Sequence, residues 1–227
     1  MSAPKEKKHL FFKFGKKEHL QSLVQEGCIF CNTIQFFQKT EQNSQRYDPD
    51  EALDYYFPGN QIKSLSFQGE KFEPTGVKSI AIRLNEKQYT HIFSLTAICL
   101  NTVKESDFDF NERFWKDFGD HIAVVVNSEK FIQHLLQKLK SENLPYKAGL
   151  VEYVNANEEA GEMGVFKKFS NFAWQKEFRI AICAPNLSKK NKPLILHLGD
   201  LSSVIKGPFP KIEELFKIKI VPKKGAH

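Results

Sequence analysis

The chain has 227 residues, 41% of them hydrophobic and 21 of them phenylalanine, which supports a folded domain with a sizeable core and excludes a wholly disordered chain. Its formal net charge of +6 favours a polyanionic partner such as nucleic acid, although ordinary soluble proteins also carry such a charge. No apolar stretch reaches the ~18 residues of a membrane span, and the Lys-rich start has no apolar run long enough for a signal peptide. We therefore expect a cytoplasmic protein without membrane association, formed by a single α+β domain over residues 1–227 with a flexible basic tail at 1–8.

The first sixty residues alternate short apolar runs with one helical pattern. The predicted elements are strands at 9–14 and 28–32, a helix at 16–26 and a short helix or turn at 33–41. The helix is indicated by Leu20, Leu23 and Val24 at helical spacing, and Gly27 is a typical residue to end it. Residues 42–60 are polar and punctuated by proline and glycine, so they predict a long functional loop.

Short strands dominate the rest of the chain. Their predicted ranges are 61–67, 77–84, 91–100, 122–126, 146–154, 172–182, 194–198 and 218–221. The clearest helix begins at Ser128, a predicted cap, because Phe131, Leu135 and Leu139 follow on one side. Helical turns are also predicted within 106–118 and 212–216. Many short strands with only two or three helices, unevenly interleaved, indicate an α+β fold with a mixed, mainly antiparallel sheet.

The segment FAWQKEFRIAI, residues 172–182, has the most informative strand pattern. Alternation places four apolar side chains on one face, namely Trp174, Phe178, Ile180 and Ile182. The opposite face would carry Gln175, Glu177 and Arg179, which predicts a strand with its back to the core and its front on a cleft. The alternative is a solvated sheet face with a Glu–Arg pair, which is common on protein surfaces.

The four cysteines predict buried, free thiols rather than a metal or redox site. Cys28 and Cys31 form a C-x-x-C motif, but on a strand two positions three apart point to opposite faces and cannot jointly bind a metal. A redox C-x-x-C also needs a helix N-terminus, which this apolar stretch does not predict. Cys99 and Cys183 stand alone in apolar strands.

The chain carries three motifs, FFKFGKKEHLQSLVQEG at 11–27, HIFSLTA at 91–97 and WQKE at 174–177, that together resemble the ADP-ribosyltransferase-like superfamily of NAD-consuming enzymes. FFKFGKKEHLQSLVQEG at 11–27 is similar to their opening strand with a basic or His residue and a helix ending in Gly. HIFSLTA at 91–97 resembles a middle strand that carries Ser or Tyr, and WQKE, with Gln175 and Glu177, resembles their last motif. The chain also resembles uncharacterised bacterial proteins with a W-x-x-E-x-R strand, which often lie near toxin or phage-defence genes.

The resemblance implies an ADP-ribosyltransferase-like fold, NAD as substrate and a role for each matching residue. Lys13, standing where those enzymes carry His or Arg, would bond to the nicotinamide ribose. Ser94 would bond to the glutamate or to that ribose, and Gln175 would position the acceptor. Glu177 would stabilise the positive charge that develops on the ribose as the glycosidic bond breaks.

Two further contacts with NAD are expected from the segment after the second strand. Phe36 or Phe37 would stack on nicotinamide. The charges of Arg46, Asp48 and Glu51 in the polar loop would contact an acceptor, or the pyrophosphate through Arg46. Each of these residues also has a structural alternative: core packing for the aromatic rings and simple solvation for the loop charges. A hydrogen-bonded strand hydroxyl is the corresponding alternative for Ser94, and a surface side chain for Lys13.

The sequence thus predicts an NAD-dependent ADP-ribosyltransferase or NAD glycohydrolase that acts as a bacterial toxin or phage-defence effector. Nucleic acid is a candidate acceptor, and an antitoxin or other defence protein is a candidate partner. Two alternatives stay open. One is a nucleic-acid-binding or metal-dependent nuclease-like protein in which Glu177 and the Asp/Glu-rich loops hold magnesium. The other is a non-catalytic interaction module whose polar face is structural.

Overall fold

The structure, a computed structural model, describes residues 8–40, 48–84, 90–188 and 191–211. Its strands are β1 (His9–Gly15), β2 (Cys28–Thr33), β3 (Tyr55–Pro58), β4 (Leu65–Phe67), β5 (Glu70–Phe72), β6 (Ser79–Ile82), β7 (Thr90–Cys99), β8 (His121–Val125), β9 (Tyr146–Leu150), β10 (Glu152–Val154), β11 (Gly161–Glu162), β12 (Lys167–Phe169), β13 (Glu177–Cys183), β14 (Leu194–His197) and β15 (Ile205–Pro210). Its α-helices are α1 (Lys17–Gln25), α2 (Ile34–Thr40), α3 (Glu112–Asp117), α4 (Ser128–Ser141) and α5 (Pro185–Ser188). The fold is α+β with mainly antiparallel sheets, as predicted, although it has more helices than the two or three expected.

The largest sheet is built around β7. Along one edge β7 pairs antiparallel with β13, from Glu177 opposite Thr96 to Cys183 opposite Thr90, and β9 continues the sheet beyond β13. Its other edge is shared between β1, which leads on to β8 and β15, and β2, which leads on to β14. A ten-residue central strand therefore organises strands that lie far apart in the sequence.

The shared edge of β7 contains a gap. β1 pairs with the end of β7, with Phe12 opposite Thr96, and β2 pairs with its beginning, with Asn32 opposite Ile92. Residues 93–95 lie between these two pairings. Because β1 and β2 diverge here, the sheet is split beside its central strand.

Two hydrophobic clusters cover the sheet. α1 contributes Leu20 and Leu23 and α4 contributes Phe131, Leu135 and Leu139 to the larger cluster, which they form with inward residues of the strands. The smaller cluster, on β1, β8 and α3, is rich in aromatic rings and includes Phe12, Phe14, Phe108 and Phe114. Consecutive residues of β1 enter different clusters, as the two-residue period of a strand requires.

Smaller sheets form a second layer over the polar end of β13. β3 pairs with β6 and β11, β10 pairs with β12 in parallel, and β4 with β5 forms an exposed hairpin. The layer is tied to the turn after residue 48, because Arg83 donates to the carbonyls of Pro49 at 2.7 Å and of Glu51 at 2.6 Å. Among the described helices none is long and apolar enough to cross a membrane.

The predicted strand at 172–182 is correct only from Glu177 onward. Residues 170–175 form a 3-10 helix, and Lys176 then adopts a left-handed conformation with φ of 43°. A non-glycine residue rarely adopts this conformation, so a propensity pattern does not predict it. Trp174 leaves the expected strand face and packs on Phe114 with ring centroids 4.9 Å apart.

The predicted loop at 42–60 is wrong over its second half, because residues 55–58 form β3 and several residues of the preceding turn are buried. Of the thiols predicted to be buried only Cys31 is, since Cys28 and Cys99 are half-buried and Cys183 is exposed. The cap of α4 is Asn127, whose side chain accepts from the N–H of Lys130. The elements predicted at 212–216 and 218–221 lie outside the described residues.

Candidate functional site

A cavity of about 600 Å³ opens where β1 and β2 diverge; we call it the central cavity. Six side chains that the sequence predicts to contact NAD or its acceptor lie in its wall: Lys13, Phe36, Phe37, Ser94, Gln175 and Glu177. The seventh, Arg46, lies outside the described residues. A cavity of this volume falls within the range of ~300–1,000 Å³ that is typical of small-molecule sites.

The carboxylate of Glu177 is held in one orientation. The Ser94 hydroxyl donates to its Oε1, Arg179 Nε donates to the same oxygen at 2.9 Å and Arg179 Nη2 donates to Oε2 at 3.0 Å. The backbone N–H of Glu177 donates to the Tyr153 hydroxyl at 2.9 Å. Glu177 is 7% exposed and Arg179 is 2% exposed, so the alternative of a solvated Glu–Arg pair is wrong.

Arg179 also bridges to the second layer. Its Nη1 donates to Oε1 of Glu51 at 2.7 Å and to the carbonyl of Val165 at 2.5 Å. Glu51 follows β2 and α2 in the chain, whereas Arg179 lies on β13, so this contact joins segments 128 residues apart. The guanidinium therefore pairs with two buried carboxylates at once, which its planar fork of donors permits.

Lys168 completes a cluster of four buried charges. Its Nζ lies 3.0 Å from Oε2 of Glu51 and 3.4 Å from Oε2 of Glu177, and it donates to Oε1 of Gln175 at 3.0 Å. We call Glu51, Lys168, Glu177 and Arg179 the ion network. Two carboxylates and two cations balance in formal charge, which is the condition under which charges tolerate burial.

The ion network keeps its carboxylates ionised. Burial alone would raise the pKa of Glu177, but the charges of Arg179 and Lys168 outweigh it and hold that pKa well below its usual value. The pKa of Glu51 is lowered for the same reasons. A carboxylate of this kind does not exchange protons near neutral pH, so Glu177 can act as a fixed negative charge and hydrogen-bond acceptor rather than as a general acid or base.

Asp48 differs from these two carboxylates although it also lies in the wall of the central cavity. Its pKa is raised to about 7, because burial disfavours its charge and Glu51 repels it, while Lys168 only partly offsets these effects. Asp48 is therefore a buried carboxyl whose charge changes near neutral pH, which is a property of groups that transfer protons.

Lys13 lies on β1 just beyond the point where β1 leaves β7. Its Nζ donates to the carbonyl oxygen of Ser94 at 2.8 Å and lies 4.6 Å from the centre of the Phe93 ring. Lys13 thus spans the gap in the sheet and is half-buried, so the alternative of a simple surface lysine is wrong. It brings a positive charge to the side of the central cavity formed by β1.

Gln175 and Phe36 reach the central cavity from other elements. Gln175 is the last residue of the 3-10 helix rather than a strand residue, and its side chain is buried against Lys168. Phe36 lies in α2, half-buried, and contacts Phe37 edge to face with centroids 5.8 Å apart. Both Phe36 and Phe37 line the central cavity, so core packing alone does not describe them.

Family models, curated proteins and solved structures contain no match to this chain. What the site can do therefore follows from its own side chains.

Sequence reasoning missed Lys168 as a site residue and did not foresee the burial of Asp48 and Glu51. Lys168 belongs to a short lysine-containing segment without a distinctive pattern, and Asp48 and Glu51 lie in a polar stretch typical of solvated loops. The sequence DPDE does signal a turn, because Asp followed by Pro is a typical turn start. Nothing in that signal shows that the turn packs against Arg179.

The described residues contain no group of three or more His, Cys, Asp or Glu side chains arranged to hold a metal ion. Oxygens of Glu51 and Glu177 instead contact the cations Arg179 and Lys168. The site therefore offers one oriented carboxylate, one carboxyl that titrates near neutrality, a lysine and aromatic rings around a cavity.

Proposed function

We propose that this chain is an NAD-dependent ADP-ribosyltransferase or NAD glycohydrolase with an ADP-ribosyltransferase-like fold. The observation that carries the proposal is the convergence of the three resembling segments. They form adjacent strands, with β7 between β1 and β13, and bring Lys13, Ser94 and Glu177 to one cavity although the first and last lie more than 160 residues apart in sequence.

The chemistry of the proposed reaction suits Glu177. Cleavage of the glycosidic bond of NAD develops positive charge on the ribose, and a nearby fixed carboxylate stabilises that charge. Glu177 remains ionised because Arg179 and Lys168 lower its pKa, and Ser94 and Arg179 fix its direction. The carboxylate can also accept a hydrogen bond from a ribose hydroxyl and so orient the sugar.

The other side chains of the central cavity have matching roles in this proposal. Lys13 would donate to the nicotinamide ribose or a phosphate oxygen, and Phe36 would stack on the nicotinamide ring. Gln175 is anchored by Lys168, so it would offer its amide NH₂ group to an acceptor. Acceptor transfer and simple hydrolysis share the bond cleavage and differ in the attacking group.

A nuclease-like function has less support from the geometry. A metal-dependent nuclease needs carboxylates free to bind magnesium, whereas Glu177 and Glu51 are paired with Arg179 and Lys168. A non-catalytic module would account for the ion network as a structural junction. It would not account for the central cavity, whose wall contains an oriented carboxylate.

Nucleic acid is the acceptor class that we propose, since the net charge is +6. A role as a bacterial toxin or phage-defence effector, with an antitoxin or defence protein as partner, extends the same proposal and rests on the resemblance. Contact with a polyanion would depend on lysine charges and would weaken steeply as salt is raised.

The test of the proposed function is release of nicotinamide from NAD by the purified chain, followed by chromatography with and without oligonucleotides. We expect release in the presence of a chelator, because the proposed chemistry needs no metal. Cleavage of nucleic acid that a chelator stops, without release of nicotinamide, would favour the nuclease. Neither activity, with any acceptor, would favour the interaction module.

A further inference from the structure

Asp48 lies in a turn that fixes its carboxylate at the wall of the central cavity. Its Oδ1 accepts from the N–H of Asp50 at 3.0 Å, and its carbonyl accepts from the N–H of Glu51 at 3.1 Å. Arg83 holds the turn from outside through the carbonyls of Pro49 and Glu51. The turn therefore presents Asp48 and Glu51 to the same buried space.

Both negatively and positively charged groups face Asp48. Glu51 and Asp50, from its own turn, disfavour its negative charge, and Lys168, from β12, favours it. Since Lys168 also pairs with Glu51 and Glu177, its charge is largely satisfied by the ion network. Asp48 thus adds a third carboxyl to a set of charges that is already balanced.

Asp48 and Glu177 have opposite environments around one cavity. Two cations and a hydroxyl group stabilise the charge of Glu177, whereas burial and a second carboxylate destabilise the charge of Asp48. When the environment separates the pKa values of two carboxyl groups in one site in this way, the group with the raised pKa transfers protons and the other stays ionised.

We propose that Asp48 is the general base that activates the attacking group, a role that rests on the function proposed above. The Asp48 carboxylate accepts the proton of a hydroxyl group or of water as its oxygen bonds to C1′ of the nicotinamide ribose. The bond from C1′ to the nicotinamide nitrogen breaks, and its electron pair neutralises the pyridinium ring. Neutral nicotinamide leaves, and the proton on Asp48 passes to solvent.

The experiment compares Asp48→Asn with Asp50→Asn for nicotinamide release over a range of pH. Asp50 is the adjacent carboxylate, and its side chain is not in the wall of the central cavity. In the wild type we expect the rate to rise as Asp48 ionises near pH 7. Asp48→Asn should lower kcat by about 10²–10⁴-fold, the usual contribution of a general base, and abolish this rise, while KM for NAD stays as in the wild type. Asp50→Asn should keep the rise and the maximal rate of the wild type, with the rise at slightly lower pH, because the charge of Asp50 no longer disfavours that of Asp48.

Three results would overturn the assignment. If the wild type is active and Asp48→Asn releases nicotinamide at the same rate, Asp48 is not the general base, but the proposed function still holds. A lowered rate that keeps the wild-type pH profile would make Asp48 a structural residue. A wild type that releases no nicotinamide at any pH would instead contradict the proposed function and this inference together.

Discussion

The Ser94 hydroxyl donates a hydrogen bond to Oε1 of Glu177 across the pairing of β7 with β13. In the register of these strands Ser94 lies opposite Arg179 and diagonal to Glu177, and diagonal neighbours on one face of a sheet come within reach of each other. The central strand thus orients the carboxylate that we propose to be catalytic.

Ser94→Ala should lower the rate of nicotinamide release even at a temperature at which the variant is fully folded. Loss of this hydrogen bond to an ionised carboxylate costs about 1.5–3 kcal/mol of unfolding free energy, and it removes one of the contacts that orient the Glu177 carboxylate. Thr90→Ala is the matched control, since it removes a hydroxyl from the same strand outside the central cavity. Equal rates in the two variants would contradict the orienting role of Ser94.

Arg179→Met should destabilise the fold strongly, because it leaves Glu51 and Glu177 buried with one cation between them. Removal of one member of a buried ion pair costs about 3–5 kcal/mol, which urea unfolding can measure. Lys138→Met is the control, because Lys138 at the end of α4 pairs with Glu142, the residue after that helix, at 2.8 Å with both side chains partly exposed. Such a pair contributes about 0.3–0.5 kcal/mol. Similar losses in the two variants would contradict the burial of the ion network.

Asp48→Asn should change the dependence of stability on pH. The pKa of Asp48 is raised from 3.8 to about 7 in the folded chain, so folding disfavours its ionised form and the wild type loses stability as the pH rises through this range. The asparagine variant has no such loss. Its unfolding free energy relative to the wild type should therefore increase between about pH 4 and about pH 8, and a difference independent of pH would contradict the raised pKa.

The ionisation of Glu177 affects the pH dependence of stability in the opposite direction. Its pKa is lower in the folded chain than its ordinary value of 4.5, so its contribution to stability is complete above that value and is lost as the pH falls through its folded-state pKa.

Lys13→Met should raise KM for NAD. Lys13 brings a cation to the gap between β1 and β2, and a hydrogen bond from a charged donor contributes about 1.5–3 kcal/mol, or roughly 10–100-fold in binding. Lys17→Met is the control, because Lys17 lies exposed on α1 outside the wall of the central cavity. An unchanged KM in Lys13→Met would remove Lys13 from the proposed NAD site.

The alternation in residues 177–182 was sufficient to predict which residues share a face of β13. Phe178, Ile180 and Ile182 enter the core, and Glu177 and Arg179 face the site. The start of the strand could not be predicted, since it depends on the left-handed Lys176. Two residues before Lys176, Trp174 packs on Phe114, which is a contact between segments far apart in the sequence.

The partners of Glu177 outside its own strand could not be predicted from the sequence. In the sequence Glu51 and Lys168 resemble ordinary solvated charges. Only the fold buries them, and a buried charge requires a partner of opposite sign. Because Glu177 is buried in the ion network, we expect its substitution to lower stability as well as activity. Any test of its role must separate lost chemistry from lost stability.

Comparison of Glu177→Gln with Glu51→Gln makes that separation. Both are buried carboxylates that contact Arg179 and Lys168, so each substitution removes one negative charge from the ion network, and thermal unfolding establishes a temperature at which both variants are folded. At that temperature we predict that Glu177→Gln lowers nicotinamide release by about 10²–10³-fold or more, whereas Glu51→Gln keeps most of the wild-type rate. Equal losses in the two variants, or full turnover by Glu177→Gln, would contradict the role proposed for Glu177.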